Sequence, residues 1–332
     1  MTGLTLGKYA PFHKGHQYLI EKALAEVDKL FVLIYDAEST TAVPLSVRAR
    51  WIRTLYPQVY VIECWAAPEG YSNERAFEIQ QEEYILKMLN GQKIDKFYSS
   101  EFYGAHVSLA LGAEDCRVDE ARQAVPISAT MIREDPYKYR GYISDIVYAD
   151  LITKVVLLGA PSTGKSTLAE ALAAHYDTVW NPEYGREYWT THQVNRLISF
   201  EGFDIIAQEH IRCEDEAVQR ANRYLFVDTN AITTYMFSMD GYGKTSKLLT
   251  ELAYENSRRY DLVFVCEDDI PYDDTWDRSG DQKRHIFHRQ IKADLAEHRI
   301  PYISLYGSIE ERIREVDSVL KHFVKYKNFF DL

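Results

Sequence analysis

Apolar residues come in short runs along this chain, and between the runs they recur at helical spacing. In the first half LTLGKY, KLFVLIYD, VYVIECW and KFYSS read as strands. Between them HQYLIEKALAEV, LSVRARWIRTLY and RAFEIQQEEYILKML spread their apolar residues as amphipathic helices do. Such alternation predicts a parallel sheet with helices on both faces. The pattern breaks at DPYKYRGYISDIVYADLI, a tyrosine-rich stretch with turn residues, and restarts at Lys154. From there the order is strand KVVLLG, helix, strand YLFVDT, a helical region, strand DLVFVCE, helix, strand PYISLYG. Two α/β domains in tandem, 1–148 and 149–332, fit this better than one open sheet. The chain shows neither an internal repeat nor a low-complexity tract.

Composition narrows the class. With 332 residues and 46% hydrophobic content, each half can bury a core. No window approaches eighteen consecutive apolar residues, so no membrane partner is expected. The start, MTGLTLGKYAPFHKGH, lacks the basic-then-apolar layout of a secretory signal. Cys64, Cys116, Cys213 and Cys266 lie far apart without a CxxC pair, which argues against a zinc knuckle or a disulfide framework. A cytoplasmic location is expected. The formal net charge of -12 disfavours a nucleic-acid partner, because duplex affinity rests on clustered Lys and Arg. Small anionic ligands stay compatible with it if backbone N–H groups, metal ions and a few local cations hold them.

GAPSTGKST, residues 159–167, follows an apolar run and precedes a helix. Gly159, Gly164, Lys165 and Ser166 match GxxxxGK[ST]. In such a loop glycines let the backbone wrap phosphates, Lys165 reaches the β and γ phosphates, and the Ser166 hydroxyl binds Mg²⁺. Asp228 ends the strand YLFVDT, as a metal-linked carboxylate or as the cap of the next helix. NPEYGREYW groups Glu183, Tyr184, Arg186 and Tyr188, either an acceptor site with a carboxylate and flanking aromatics or a solvated turn. YDDTWDRSGDQKRHIF brings Trp276, Arg278, Lys283 and Arg284 together, as a closing lid or an ordinary polar loop.

YAPFHKGHQYL places His13 and His16 around Lys14 and Gly15, at a helix start after the first strand. No further metal ligands stand at suitable spacing. His13 and His16 read either as a pair of core histidines or as two imidazoles that, with helix N–H groups, face a polyphosphate. About one domain length later ISATMIRE offers Ser128, Thr130 and Arg133, a phosphate fork or a plain helix cap.

HxGH followed by ISxTxxR resembles the signature pair of nucleotidyltransferases. With the phosphate loop behind it, nearly the whole chain resembles the bifunctional NadR-type family, nicotinamide-nucleotide adenylyltransferase joined to ribosylnicotinamide kinase. The likeness rests on GKYAPFHKGH, RARW, ISATMIR, the P-loop, EYGRE, FVDT followed by ITT, and DRSGDQKR. It implies a Rossmann-like nucleotidyltransferase domain ahead of a P-loop kinase domain. The first would join ATP to nicotinamide mononucleotide (NMN), giving NAD and pyrophosphate. The second would phosphorylate nicotinamide riboside to NMN.

The resemblance also implies roles. His13, His16, Arg133 and Thr130 would contact ATP phosphates, together with Gly7, Lys8, Gly15 and Ser128. Trp65 or Tyr71 would face the nicotinamide ring, since relatives use a Trp within the segment matching AAPEGYSNERAF and this chain has none there. In the kinase half Gly159, Thr163, Gly164, Lys165, Ser166 and Thr167 would hold ATP, with Mg²⁺ on Ser166 and Asp228. Glu183 would bind the ribose or act as base, Arg278 would be the lid arginine, and Tyr184, Arg186 and Trp276 would contact the riboside. Some family members begin with a DNA-binding helix-turn-helix; this chain starts at the first catalytic strand, so repression is not implied. Small molecules are the expected partners, and a homo-oligomer is left open. Two other readings share parts of the pattern: a coenzyme A pair of adenylyltransferase and kinase, and a ligand sensor with idle domains. EYGRE and FVDTNAITT speak against the first, and the intact His13, His16, Lys165 and Ser166 against the second.

Overall fold

The structure, a computed structural model, describes residues 1–68, 74–195, 197–272 and 281–327. It divides into two compact units, Met1–Tyr148 joined by residues 324–327, and Ala149–Phe323.

The first unit runs β1 (Thr2–Gly7), α1 (Lys14–Leu24), β2 (Lys29–Tyr35), α2 (Leu45–Leu55), β3 (Tyr60–Cys64), α3 (Arg75–Leu89), β4 (Lys96–Ser99), α4 (Gly104–Leu111), β5 (Glu114–Arg117), α5 (Ala129–Glu134) and α6 (Asp145–Leu151), the last crossing into the second unit. Its five strands are parallel in the order β3-β2-β1-β4-β5. β1 lies at the centre, with Leu4 beside Phe31 on one flank and Phe97 on the other. Helices cover both faces, so the inner strands are buried on both sides and read as continuous apolar runs. Leu4, Leu33, Ile85, Phe97 and Val107 form the heart of one cluster of the core.

The second unit runs β6 (Thr153–Leu158), α7 (Lys165–His175), β7 (Trp180–Asn181), α8 (Tyr184–His192), α9 (Phe200–Val218), β8 (Tyr224–Asp228), α10 (Ala231–Tyr242), α11 (Lys247–Glu255), β9 (Leu262–Cys266), α12 (Asp281–Glu297), β10 (Ile303–Leu305) and α13 (Ile309–His322). Its sheet is parallel too, in the order β10-β9-β6-β8-β7. Val156 pairs with Val227 and Val263, and every residue of β8 is buried.

The expected strands and helices are present, with additions. β5 (EDCR) has no buried residue and exists by pairing with β4, so no apolar pattern announces it. β7 is two residues long, too short to show a period. In both sheets the chain first fills the strands on one side of the central strand and later crosses to its other side. That switch opens a crevice at the carboxyl end of β1 and of β6, where ligands bind in open α/β sheets.

Candidate active sites

The turn after β1 carries the histidine pair. His13 is the N-cap of α1: its Nδ1 accepts the Gly15 N–H at 3.1 Å, while His16 Nδ1 accepts the His13 N–H at 3.3 Å. The result is a capping box built from imidazoles. Gly15 is required here, because a Cβ would lie 2.9 Å from His13 Cε1. The two rings stack at 3.7 Å between centroids, and Phe12 lies parallel to His16 at 5.8 Å. Burial, with a smaller push from Arg122, lowers the His13 pKa from 6.5 to about 4. Burial, then His13 and Arg122, holds His16 well below its usual value. Both imidazoles are therefore neutral at pH 7. With Nδ1 accepting a backbone N–H, the ring proton sits on Nε2, so each histidine presents an Nε2–H donor.

The second signature meets the first in space. Ser128 caps α5 by accepting the Met131 N–H at 3.2 Å, the capping reading for this residue. Arg133 donates to the Ala10 carbonyl at 2.6 Å and to the Thr130 hydroxyl at 3.0 Å. One guanidinium thus spans 123 positions of sequence and fastens α5 to the histidine turn.

Beside this turn, Gly7, Lys8, Tyr35, Asp36, Gln81 and Tyr103 line part of a cleft at the strand ends. Arg48, fully buried, frames it: Nε donates to Val43 O at 3.0 Å, Nη1 to Tyr35 O at 2.9 Å and to Lys8 O, and Nη2 lies 3.5 Å from Asp36. Tyr103 donates its hydroxyl to Leu6 O at 3.2 Å. Trp65 is 58% exposed in the turn after β3 and is not among the residues lining the cleft. Tyr71 lies outside the described residues. Sequence reasoning named neither Asp36 nor Tyr103; their signal was their place at the carboxyl ends of β2 and β4.

In the second unit the loop after β6 is shaped by two glycines. Gly159 has φ +140°, and a Cβ there would sit 2.6 Å from the Cys266 carbonyl. Gly164 (φ +79°) is the N-cap of α7. The buried Lys165 donates from Nζ to Ala160 O at 2.9 Å, and the Thr163 hydroxyl to the same oxygen at 2.9 Å. Ser166 and Thr167 stand in the first turn of α7, whose leading N–H groups have no intrahelical acceptor.

Asp228 closes β8 beside Leu157 and is 1% exposed. Both its carboxylate oxygens are buried without a hydrogen-bond partner. The next helix is capped by Asn230, which accepts from Ile232 N at 3.1 Å and Thr233 N at 3.4 Å, so capping is not the task of Asp228. Glu183 immediately precedes α8, and Tyr184 opens it. The buried His210 of α9 holds this corner: Nδ1 accepts the Tyr184 N–H at 3.5 Å and Nε2 faces the Asn181 amide at 3.4 Å. Arg186 is exposed. Trp276 and Arg278 lie outside the described residues.

Among the described residues one group, Glu267, Asp268 and His288, has metal-ligating atoms within 4.8 Å of one another. Glu267 is already bonded to Lys292 at 2.7 Å and His288 at 2.9 Å, and Asp268 to His285, so its charges are met within the protein.

Comparison with known proteins gives concordant results for both units. Residues 6–66 match the model of the citrate lyase ligase C-terminal domain, and residues 154–312 that of the AAA domain. The chain is 31% identical over 292 residues to the trifunctional NAD biosynthesis/regulator protein NadR of Escherichia coli, covering 81% of this chain and 70% of that one. It is 29% identical over 329 residues to the protein of the same name from Salmonella typhimurium, covering 91% and 78%. A NadR crystal structure in complex with NAD and AMP-PNP shares the fold with a TM-score of 0.57 at 21% identity, over 98% of both chains. A second, in complex with NR, gives 0.58 at 22%, over 98% and 97%.

Proposed function

The chain belongs to the NadR family, and from that membership and the two sites we propose that it carries out consecutive steps of NAD biosynthesis, phosphorylating nicotinamide riboside to NMN in the second unit and transferring adenylate from ATP to NMN in the first. The observation that carries this reading is that each unit sets its own phosphate-binding turn directly after its own central strand.

In adenylyl transfer the NMN 5′-phosphate oxygen attacks the α-phosphorus of ATP. A P–O bond forms to the incoming oxygen and the bond to pyrophosphate breaks. Charge builds on the phosphoryl oxygens as this happens. Neutral His13 and His16 offer it Nε2–H donors already fixed by their backbone bonds, with no reorganisation required. Arg133 and Thr130, drawn against the same turn, serve the leaving phosphates. We assign the pyridine ring to the cleft of Asp36, Gln81, Tyr35 and Tyr103. A cationic ring is favoured by an aromatic wall and a nearby carboxylate.

In the kinase unit the riboside 5′-hydroxyl attacks the γ-phosphorus and ADP leaves. The N–H groups of the loop and Lys165 bind the phosphates. Asp228, whose buried oxygens no protein donor meets, fits a divalent cation, and with the Ser166 hydroxyl it would hold Mg²⁺. The ion supplies charge neutralisation at the phosphates. Glu183, immediately before α8, would bind the ribose or take the hydroxyl proton, with Tyr184 next to it in the chain.

The test is a chromatographic time course with ATP, Mg²⁺ and nicotinamide riboside. NMN should appear first and NAD after it. Lys165→Ala should abolish NMN formation yet convert added NMN to NAD, and His16→Ala should accumulate NMN. Formation of neither product by the wild-type chain refutes the assignment and makes the coenzyme A precursors the next substrates to try.

A further inference from the structure

Arg312 of α13 is almost wholly buried, and four of its hydrogen bonds go to loops at the carboxyl edge of the second sheet. Nε donates to Gly307 O at 3.1 Å; Nη1 donates to Thr163 O; Nη2 donates to Glu267 O at 3.1 Å and to Asp269 Oδ1 at 2.7 Å. Asp269 also accepts the Gly307 N–H at 2.6 Å, closing a ring between the β9 and β10 ends. Nothing in the phosphate-loop pattern anticipates this residue, which lies 149 positions beyond Thr163.

The Thr163 contact has a directional consequence. In a planar trans peptide the C=O and N–H point in opposite senses. Holding the Thr163 carbonyl toward Arg312 therefore turns the Gly164 N–H away from the guanidinium. The Gly164 side of the loop lies close against the guanidinium, since a Cβ on Gly164 would be 3.7 Å from Nη1. A lysine at this position retains the charge but lacks the planar fork that reaches three carbonyls and a carboxylate together.

We propose that Arg312, held by Asp269, is a positioning residue of the kinase site: it fixes the Thr163–Gly164 peptide so that the Gly164 N–H faces the nucleotide phosphates. The proposal rests on the reading of residues 159–167 as an ATP loop and is independent of the acceptor. The test uses the full chain. Binding of a non-hydrolysable ATP analogue is titrated, and the component that Lys165→Ala removes is assigned to the P-loop. Kinase KM values for ATP and for riboside are measured in parallel, and adenylyl transfer from added NMN reports the integrity of the other unit.

Arg312→Lys is expected to weaken the P-loop component and raise the ATP KM at least tenfold. The riboside KM should stay within twofold and adenylyl transfer should be unchanged. Asp269→Asn, which leaves the Thr163 contact in place but loosens its anchor, should raise the ATP KM about threefold to fivefold. If Arg312→Lys fails to fold, Asp269→Asn decides. Unchanged analogue binding in a folded Arg312→Lys chain, or an unchanged ATP KM in Asp269→Asn, overturns the proposal. If the wild-type chain binds the analogue but does not phosphorylate the riboside, the functional assignment fails and the binding comparison still tests Arg312.

Discussion

Asp228→Asn separates function from stability at one side chain. The residue is 1% exposed and neither oxygen has a protein donor, so the folded chain carries a buried carboxylate that no hydrogen bond compensates. Leaving a buried polar group unsatisfied costs about 1–3 kcal/mol, more when it is charged. Asparagine keeps the shape, and its amide still goes unmatched, so the gain is the charged part of that cost. We expect the second unit to become more stable by about 1–3 kcal/mol, equivalent to roughly 2–12 °C in melting temperature for a unit of this size. Riboside phosphorylation should fall at least 100-fold, because the acidic ligand for the ion is gone. The assay is thermal and urea unfolding without nucleotide or metal, paired with kinase turnover at saturating ATP and Mg²⁺. The stabilisation conferred by ATP and Mg²⁺ should also shrink in the variant. A second unit that is less stable than wild type in the absence of ligand would refute the reasoning, and so would a variant that keeps more than a tenth of its kinase activity.

Acidification should weaken the first unit through His13. Below pH 6.5 the unfolded chain takes up a proton that the folded imidazole refuses until about pH 4, so stability falls as pH drops across that window, by about 3 kcal/mol at full extent. His13→Asn should remove this share, and a gap between the two chains in urea midpoint that is equal at pH 7 and pH 4.5 would sink the idea. Gly159→Ala places a Cβ 2.6 Å from Cys266 O at φ +140°. It should cost the second unit about 2–4 kcal/mol and abolish kinase activity while sparing adenylyl transfer, as calorimetry and the two separate assays would report. Asp36→Asn and Gln81→Ala should each raise the NMN KM about tenfold, a loss of about 1.4 kcal/mol, whereas Trp65→Ala should change it less than twofold. The opposite ranking would return the pyridine ring to Trp65.

Much of this protein is written locally. The alternation of apolar runs with helical stretches specifies two parallel α/β layers, because strands buried on both faces need continuous apolar sequence and the covering helices need one apolar stripe. The phosphate loop and the histidine turn are equally local, since glycines, a helix start and a cation or imidazole within nine residues suffice to define each. Tertiary structure decided everything that depends on distant residues meeting. Arg133 reaches Ala10 across 123 positions and Arg312 reaches Thr163 across 149, and no periodicity encodes such pairs. β5 owes its existence to an edge pairing rather than to apolar residues. Whether Asp228 caps a helix or faces the site was undecidable along the chain, because aspartate serves both purposes. Folding assigned the cap to Asn230 and left both oxygens of Asp228 in the interior without a donor, a matter of where other groups end up in space rather than of which residues stand nearby in sequence.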